Sequence, residues 1–388
     1  MKILYSHRIQ SRDGQGVHLD AMVGALRSAG HTVKLVGPGS YESASLGGES
    51  PWVALARRHI PRILLELAEF LYSVPAAFRL WRACVSFRPD VIYERYNLFF
   101  TAGAWVARLT RTPYLVEVNA PLREERSRYG HLVMQRFARW SERYVWRSAD
   151  RVLPVTRVLG DYLVSEGVEP SRIVVIHNGI DLEEFPQRER PARGDGARTV
   201  VLGFVGFVRA WHGLDQVILG MAEHPDATDL TLVVVGDGPA RAELESLSRQ
   251  AGIEDRVHFT GLAERQAVPR LLADFDIALQ PAAVAYASPL KVFEYMATGA
   301  AIVAPDQANL REVLTHGKTA LLFDPADPRD MWDSILKLAR DPELSSSIGR
   351  AARATLISRD LTWKGNARRV VEIVTSLQPP RSLHRRAA

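Results

Sequence analysis

The run Ser288-Pro289-Leu290-Lys291, with Glu294 just beyond it, holds residue types suited to binding a phosphorylated ligand. Pro289 stands where a helix would begin, a position at which the missing N–H of proline costs nothing. The free N–H groups of a first helical turn bind anions, and Lys291 adds a positive charge beside them. Glu294 can accept hydrogen bonds from a ribose diol. An ordinary amphipathic helix with solvated charges would show the same pattern, so the surrounding segments must decide.

Three glycine-containing segments follow apolar runs that are typical of strands: Asp13-Gly14-Gln15-Gly16, the loop 206–213 and the turn 233–239. Glycine lets the backbone approach a phosphate or a sugar closely. In the third segment, Arg241 stands where a dinucleotide-binding turn needs a third small residue, which argues against an NAD-dependent oxidoreductase. A plain strand-to-helix turn is the alternative interpretation for each segment.

Two other short motifs are predicted to have structural roles rather than metal-binding or catalytic ones. Asp274-Phe275-Asp276 has the spacing of an Asp-x-Asp metal motif, but it leads directly into the apolar run Ile277-Ala278-Leu279, so we predict a buried strand and no metal site. His177-Asn178-Gly179 is interpreted as a turn leading into a linker rather than as the position of a catalytic histidine.

Short β-branched apolar runs alternate with helical stretches along the chain, which predicts an α/β fold with parallel sheets covered by helices. The predicted strands are residues 2–6, 32–36, 91–93, 114–118, 151–154 and 173–176, then 200–205, 232–235, 257–260, 277–280, 301–304 and 320–323. The predicted helices include residues 16–29, 126–148, 215–223, 240–251 and 290–297.

A length of 388 residues is enough for two domains. The polar, Pro- and Gly-rich segment 186–198 is the predicted linker between an N-terminal domain, residues 1–185, and a C-terminal domain, residues 199–365. Residues 366–388 are predicted to form a helix and a basic tail that pack back on the N-terminal domain. Two doubly wound domains would leave a ligand-binding cleft at the carboxyl ends of their strands.

The net charge of +5 favours acidic partners such as nucleotide phosphates or anionic lipid. No zinc-ligand spacing or nucleic-acid-binding motif accompanies the charge, so we predict no nucleic-acid partner. One cysteine, Cys84, and a first apolar run too short for a signal peptide predict a cytoplasmic protein. Arginines and aromatic residues between 123 and 147, and Arg57-Arg58-His59, suit a peripheral contact at the inner face of the membrane; solvated basic helix faces would explain them equally well.

The segment Ser288–Gly299 resembles the donor-site helix of glycosyltransferase family 4, in the subgroup written Ser-Pro-Leu-Lys and Glu-Tyr-Met-Ala. The resemblance covers most of the chain and is weakest over residues 40–90. It implies the GT-B fold, two Rossmann-like domains facing a central cleft. It also implies that the run from Ser288 through Pro289 and Leu290 to Lys291 binds the donor diphosphate, and that Glu294 binds the ribose. Tyr286 replaces a family glutamate that contacts the donor sugar, so the resemblance does not predict which sugar is transferred.

The same resemblance assigns roles in the loop 206–213. Family members carry an arginine and a lysine there for the diphosphate, whereas this chain has His212 at the lysine position and Arg209 shifted by two. The expectation is that Arg209 and Lys291 supply two positive charges as catalytic residues and that His212 supplies a hydrogen bond.

Further positions also follow from the resemblance. Gly236 is expected near the nucleotide, and Gly261 and Leu262 at the edge of the base pocket. Gly14 and Gly16 match the glycine-rich first loop and are expected at the diphosphate. Asn119 replaces the more frequent histidine beside the reacting sugar and is expected to be catalytic.

The implied activity is metal-independent, retaining transfer of a sugar from a nucleotide diphosphate sugar, with UDP or GDP as the expected nucleotide and no cofactor. A sugar or lipid-linked acceptor in polysaccharide or glycolipid synthesis is the first expectation. The alternatives are glycosylation of a small-molecule natural product, a GT-B nucleotide-sugar epimerase and a catalytically silent nucleotide-sugar binding protein.

Overall fold

The computed structural model describes residues 1–9, 14–38, 60–130, 132–185 and 199–377. The chain divides into two compact units: Met1–His177 with Trp363–Ala388, and Asn178–Thr362. The boundary thus lies at residues 177 and 178, whereas the predicted boundary was the segment 186–198, which falls outside the described residues. Ile180 and Phe185 pack in the hydrophobic core of the second unit, which explains why the residues before that segment belong there.

The first unit holds a parallel five-stranded sheet in the order β2-β1-β3-β4-β5. The strands are β1 (Lys2–Ser6), β2 (Thr32–Val36), β3 (Val91–Arg95), β4 (Tyr114–Val118) and β5 (Arg151–Pro154). Every residue of β3 and β4 is buried, as expected for central strands covered on both faces. The short apolar runs of the sequence are therefore the interior of this sheet.

Eight helices of the described chain belong to this unit. They are α1 (Gly14–Ser28), α2 (Arg62–Leu71), α3 (Ser73–Phe87), α4 (Ala102–Thr110), α5 (Leu122–Tyr129), α6 (Gln135–Ser148), α7 (Arg157–Ser165) and, from the end of the chain, α15 (Trp363–Leu377). Helix α15 packs against α1, and its buried face includes Trp363, Ala367 and Val370. The tail that follows, residues 378–388, lies outside the described residues.

The second unit holds a parallel six-stranded sheet in the order β11-β10-β9-β6-β7-β8. Its strands are β6 (Val200–Val205), β7 (Leu230–Val235), β8 (Val257–Gly261), β9 (Ile277–Leu279), β10 (Ala301–Pro305) and β11 (Leu321–Phe323). Strands β7 and β8 lie on one side of β6 in the sheet, and strands β9, β10 and β11 lie on the other side. The order therefore reverses between β6 and β9.

Seven helices of the described residues belong to this second unit. They are α8 (Leu214–Glu223), α9 (Arg241–Gln250), α10 (Val268–Ala273), α11 (Leu290–Thr298), α12 (Ala308–Arg311), α13 (Pro328–Arg340) and α14 (Pro342–Ser358). Two hydrophobic clusters lie in this unit, one including Leu232 and Ile335, the other Phe293 and Ile302. Helices α11, α13 and α14 contact β10 of the sheet. Among the helices of the described ranges, none is long and apolar enough to cross a membrane.

Two predicted elements were wrong. Residues 173–176 form no named strand: only Ile173 pairs with Val152 as an isolated bridge, although the amides of Val174 and Ile176 still donate to β5 and its end. The long helix predicted over 126–148 is two helices, α5 and α6. A carboxylate from α2 explains the break, because Glu66 accepts the amides of Val133 and Met134 just ahead of α6.

Candidate donor site in the second unit

The predicted donor residues converge where the strand order of the second sheet reverses. The loop 206–213 follows β6, and the loop 280–289 follows β9, its neighbour in the sheet. In open α/β sheets, ligands bind outside the carboxyl ends of the strands at such a reversal. This topology places Lys291, at the start of α11, beside Gly206 at the end of β6. A Cβ built on Gly206 would lie 3.2 Å from the Lys291 ammonium.

Helix α11 begins at Leu290, where the sequence predicts its start. Pro289 is its N-cap, with extended backbone (φ −66°, ψ 121°), and Leu290 is the first helical residue. The amide of Val292 donates to the Pro289 carbonyl at 3.1 Å. The amides of Leu290 and Lys291 precede the first intrahelical hydrogen bond, so they remain available to an anion.

The Lys291 ammonium is buried and has no hydrogen-bond partner among the described residues. It lies 3.8 Å from the centroid of the Phe204 ring, which offers a weak cation–π contact. Burial lowers the pKa of Lys291 from 10.5 to about 7, and the charge of Glu294 offsets only part of that effect. A buried cation without a partner is costly, so this geometry favours an anion at the end of β6.

His212 lies in the same cluster in its neutral form. Its Nδ1 accepts the backbone amide of Arg209 at 3.2 Å, and its ring is 5.1 Å from that of Phe204. Burial and the charges of Lys291 and Arg209 lower the pKa of His212 to about 3. Because Nδ1 is an acceptor, the proton of the neutral ring resides on Nε2, which can donate one hydrogen bond to a ligand.

Glycines bring the strand ends together. Gly236 has φ +138°, and a Cβ there would lie 2.1 Å from the Gly206 carbonyl oxygen. Gly236 also bridges Gly261, which has φ +74°. Only glycine tolerates this combination of backbone angle and close approach. Gly236 and Gly261 therefore lie together at the ends of β7 and β8, while the predicted base contact Leu262 is 63% exposed.

Side-chain amides hold the loop 280–289 that carries Ser288. Asn178 Nδ2 donates to the Ser288 carbonyl at 2.6 Å, and the backbone N–H of Asn178 donates to Ser288 Oγ at 3.4 Å. Asn309 Nδ2 donates to the carbonyls of Val284 and Ala287 at 3.1 and 2.7 Å. Tyr286, the predicted donor-sugar residue, lies half-buried in this loop. These contacts fix the loop before any ligand binds.

Glu294 meets an arginine that the sequence did not point to. Arg265 Nη1 lies 3.0 Å from Glu294 Oε1, and Arg265 Nη2 lies 3.2 Å from Glu184. Burial raises the pKa of Glu294, and the adjacent Arg265 opposes that rise. The pair lies one turn along α11 from Lys291. Arg265 is exposed, so it can exchange this contact for one with a ligand or with water.

Unlike Lys291, Arg209 is exposed in this structure. Its exposed guanidinium lies 4.9 Å from the ring centroid of Phe207. Arg209 also lines a pocket of about 300 Å³ between the starts of α8 and α9, together with Leu214, Asp215 and Leu244.

The remaining predicted residues lie in the first unit. Gly14 and Gly16 belong to the first turn of α1 rather than to a loop before it, because the helix begins at Gly14; the preceding Asp13 lies outside the described residues. Asn119 follows β4, and its Nδ2 donates to Glu117 Oε1 at 2.6 Å. Asn119 is thus already held by a buried carboxylate.

Glu117 is the centre of a buried polar network in the first unit. It accepts hydrogen bonds from Tyr93 at 2.6 Å and Arg95 at 2.7 Å, and lies 3.0 Å from His18 Nε2. Burial raises the pKa of this carboxyl, but interactions with His18 and Arg95 outweigh burial and hold the pKa well below its usual range. Glu117 therefore stays ionised and orients Asn119.

Sequence reasoning missed three residues of the second-unit site: Asn178, Asn309 and Arg265. Asn178 stands in the segment interpreted only as a turn, and no pattern in the sequence connects it with Ser288, 110 positions away. The carboxylate of Asp276, from the Asp-x-Asp motif, accepts the backbone amide of Val201 at 2.9 Å at the start of β6. Asp276 therefore has a structural role in the sheet.

Two family models match the chain side by side. Residues 12–184 match the model described as Glycosyltransferase Family 4, and residues 187–355 match Glycosyl transferases group 1. An alpha-D-kanosaminyltransferase of Streptomyces kanamyceticus is 26% identical over 64% of this chain and 66% of its own length. A D-inositol 3-phosphate glycosyltransferase of Mycobacterium sp. (strain KMS) is 28% identical over 83% of this chain and 73% of its own length.

Solved structures agree on the fold. The crystal structure of Anabaena Alr3699/HepE in complex with UDP and glucose superimposes with a TM-score of 0.72 at 18% identity, covering 97% of this chain and all of that one. WaaG, a glycosyltransferase involved in lipopolysaccharide biosynthesis, superimposes with a TM-score of 0.67 at 15% identity over 96% of this chain and 99% of its own. The two matched domains and this fold identify the chain as a glycosyltransferase of the GT-B class.

Proposed function

We propose that the chain transfers a sugar from a UDP-sugar to a hydroxyl acceptor, with retention of the anomeric configuration and without a metal ion. UDP is preferred over GDP because the similar HepE structure holds UDP and glucose. The sequence resemblance, with its Ser-Pro-Leu-Lys segment at Ser288–Lys291, supports the retaining, metal-independent chemistry.

The observation that carries the proposal is the buried, unpartnered ammonium of Lys291. It lies beside the free amides that begin α11 and within the cluster of Gly206 and His212. A diphosphate placed there would receive one cation, two backbone N–H groups and the Nε2–H of His212. Positive charge placed where negative charge grows on the leaving diphosphate is the main catalytic device available to such a site.

The proposed reaction needs no covalent protein nucleophile. The bond between the anomeric carbon and the diphosphate oxygen breaks, Lys291 stabilises the departing diphosphate, and the acceptor hydroxyl bonds to the anomeric carbon on the same face. A donor phosphate oxygen takes the proton of that hydroxyl. Arg209 would add a second charge, while Glu294 would bind the ribose. Asn119, Gly14, Gly16 and Tyr286 stay predictions for the sugar and the diphosphate.

Two acceptor classes have support. A polysaccharide or lipid-linked acceptor at the cytoplasmic face of the membrane is our first proposal, and the similar fold of WaaG, a protein of lipopolysaccharide biosynthesis, is consistent with it. A small natural-product acceptor is the second, favoured by the similarity to the kanosaminyltransferase. Assays with each acceptor class and a labelled UDP-sugar would separate them.

Nucleotide binding tests the donor site directly. Calorimetry with UDP, GDP, ADP and TDP, each with Mg²⁺ and with EDTA, should give metal-independent binding of UDP to the wild type. Lys291→Met and Glu294→Gln should each weaken binding at least about tenfold. Lys337→Met removes an exposed lysine of the same unit and should bind as the wild type does. Equal binding by Lys291→Met would contradict the assignment of the diphosphate site.

Slow hydrolysis of the UDP-sugar separates an enzyme from a silent binding protein. If the first anomer released, observed by proton NMR before mutarotation, has the configuration of the donor, the reaction is retaining. Release of the opposite anomer would contradict retention. Tight UDP binding without any hydrolysis or transfer would favour the silent binding protein, and formation of an epimeric UDP-sugar would favour the epimerase.

A further inference from the structure

Helices α2 and α3 of the first unit turn large apolar side chains towards solvent. Between residues 60 and 88 the exposed large apolar residues recur every three or four positions, with Ile63 and Leu64 adjacent, which is the spacing of one helix face. They are Ile60, Ile63, Leu64, Leu67, Leu71, Val74, Phe78, Trp81 and Val85. Val74 and Phe78 are 57% and 56% exposed. We call this set the α2–α3 stripe.

The stripe runs on without interruption where the helices meet. Tyr72 separates α2 from α3, yet its backbone is helical (φ −58°, ψ −22°), so the stripe stays on one side. The buried side of α3 carries smaller residues, such as Ala76, Ala83 and Cys84, with Leu80. The outer face is therefore at least as apolar as the inner one, which is the reverse of an ordinary surface helix.

No acidic side chain interrupts this exposed face. Both acids of α2 have partners on neighbouring elements: Glu66 accepts the amides of Val133 and Met134, and Glu69 pairs with Arg126 at 2.6 Å. All exposed residues from 60 to 88 are apolar, small or arginine, and the arginines are Arg62, Arg79, Arg82 and Arg88. Apolar residues bordered only by arginines are the composition of helices that lie in an anionic bilayer interface.

The charge pattern also selects among possible occupants. A second copy of the chain, related by a twofold axis, would place these arginines opposite themselves without a carboxylate from the same face to pair with them. A bilayer containing anionic lipid instead offers phosphates to the arginines and acyl chains to the stripe. The long stems of the arginines let their guanidinium groups reach the lipid headgroups while the apolar side chains insert into the acyl-chain region.

We propose that the α2–α3 stripe is a membrane-docking face that inserts into the surface of an anionic bilayer. The face lies wholly within the first unit and uses no residue of the donor site. The inference rests on the proposed function, in which the acceptor is bound to a membrane. It adds the surface by which the enzyme would reach that membrane. Its failure would leave UDP binding untouched.

Vesicle sedimentation of the full chain tests the proposal. The wild type should sediment with vesicles of phosphatidylcholine and phosphatidylglycerol and much less with phosphatidylcholine alone. The triple substitution Leu71→Gln, Val74→Gln and Phe78→Gln should lower the partition coefficient roughly tenfold or more. Val164→Gln, which replaces a 40% exposed residue of α7, is the matched control and should leave it unchanged.

The arginines are tested separately. Replacing Arg79, Arg82 and Arg88 by glutamine should weaken binding to anionic vesicles strongly at low salt and little at high salt. Arg249→Gln, which removes an exposed arginine of α9 in the second unit, should bind as the wild type does. Equal binding by the wild type and the apolar triple variant would overturn the proposal.

Two further measurements separate other occupants of the stripe. If residues 39–59 or a second copy cover it, the apolar triple variant should lower Tm or dissociate an oligomer seen by light scattering, and the wild type should not bind vesicles; either result overturns the proposal. UDP calorimetry on the same samples reports the donor site independently. Loss of vesicle binding with unchanged UDP affinity would support the membrane-docking face.

Discussion

Lys291 combines a buried position with a charge that no described residue neutralises by contact. Its pKa of about 7 means that near neutral pH a large share of the ligand-free molecules hold a neutral lysine. A bound diphosphate would favour the ammonium and raise this pKa again. Ligand binding and proton uptake at Lys291 should therefore be linked.

We expect UDP affinity to fall as pH rises above about 7, by up to tenfold per pH unit, because binding must then supply a proton to Lys291. Calorimetry between pH 6.5 and 9, in buffers of different ionisation enthalpy, measures both the affinity and the proton uptake. Lys291→Arg, which stays charged throughout, should lose this dependence. The same slope in the arginine variant would place the titrating group elsewhere.

The same lysine should weaken the ligand-free fold. A lysine whose pKa is lower folded than unfolded destabilises the protein fully below pH 7, and the effect disappears as pH rises towards 10.5. Lys291→Met should therefore raise the free energy of unfolding by about 2 kcal/mol at pH 7 and by less at pH 9.5. Urea unfolding measures this, with the exposed Lys337→Met expected within about 0.5 kcal/mol of wild type.

Arg265 opposes the rise that burial causes in the pKa of Glu294. Removing it as Arg265→Gln should let burial raise the pKa of Glu294 further, so the carboxylate is lost as pH falls. We expect the ratio of Kd for UDP, variant over wild type, to grow from pH 8 to pH 6. Arg270→Gln, an exposed arginine of α10, should keep this ratio near one. A ratio independent of pH would contradict the positioning role of Arg265.

At the scale of elements, the donor site depends on strand ends that meet through glycine. Gly236 combines φ +138° with a 2.1 Å approach to the Gly206 carbonyl oxygen, whereas Gly252 has φ +68° in open space. Both positions have a positive φ that favours glycine, but only Gly236 lies against a neighbouring backbone atom. They therefore form a matched pair.

We expect Gly236→Ala to cost about 3 kcal/mol or more of unfolding free energy, because the added methyl group forces β6 and β7 apart. Gly252→Ala should cost only the left-handed backbone penalty of about 1 kcal/mol. Urea unfolding measures both, and UDP affinity should fall in the first variant only. Equal costs would mean that the close approach of the two strand ends is not required.

Helix α11 shows how one element serves both packing and binding. Seven of its residues, Val292 to Thr298, are buried, while its first turn carries the free amides and Lys291. Tyr295 in its centre accepts the amide of Val205 at 3.0 Å and donates to the Leu279 carbonyl at 3.2 Å. This tyrosine ties the helix to the ends of β6 and β9, so the start of α11 is held at the strand-order reversal.

At the scale of the whole molecule, each unit has its own core and carries a different proposed surface. The second unit holds the proposed donor site, and the first holds the proposed membrane-docking face. Hydrogen exchange followed by mass spectrometry can observe both in one sample. UDP and lipid should therefore act on separate segments of the chain.

We expect UDP to protect the loop 206–213 and the start of α11, and anionic vesicles to protect residues 60–88, because each ligand covers the groups proposed to bind it. Protection of the first turn of α1 by UDP would support Gly14 and Gly16 as diphosphate contacts, and its absence would remove them. Protection of 206–213 by vesicles alone would contradict the separation of the two surfaces.

The sequence by itself determined the α/β class, all eleven described strands to within two residues at either end, and the position of α11. These features are local: apolar β-branched runs and the capping segment Ser288-Pro289 specify their own backbone. The segment 173–176 has the same local pattern, yet it forms only a single bridge beside β5. Pairing with a neighbour is not encoded in the segment alone.

Only the tertiary structure decided which charges are buried and which side chains support them. Lys291 and Arg209 were both predicted as positive charges of the donor site. Lys291 is buried beside Phe204, whereas Arg209 lies exposed next to Phe207. Asn178 reaches Ser288 across 110 positions because the chain folds back on itself there. Burial and long-range hydrogen bonds arise from elements packing together, so no local pattern contains them.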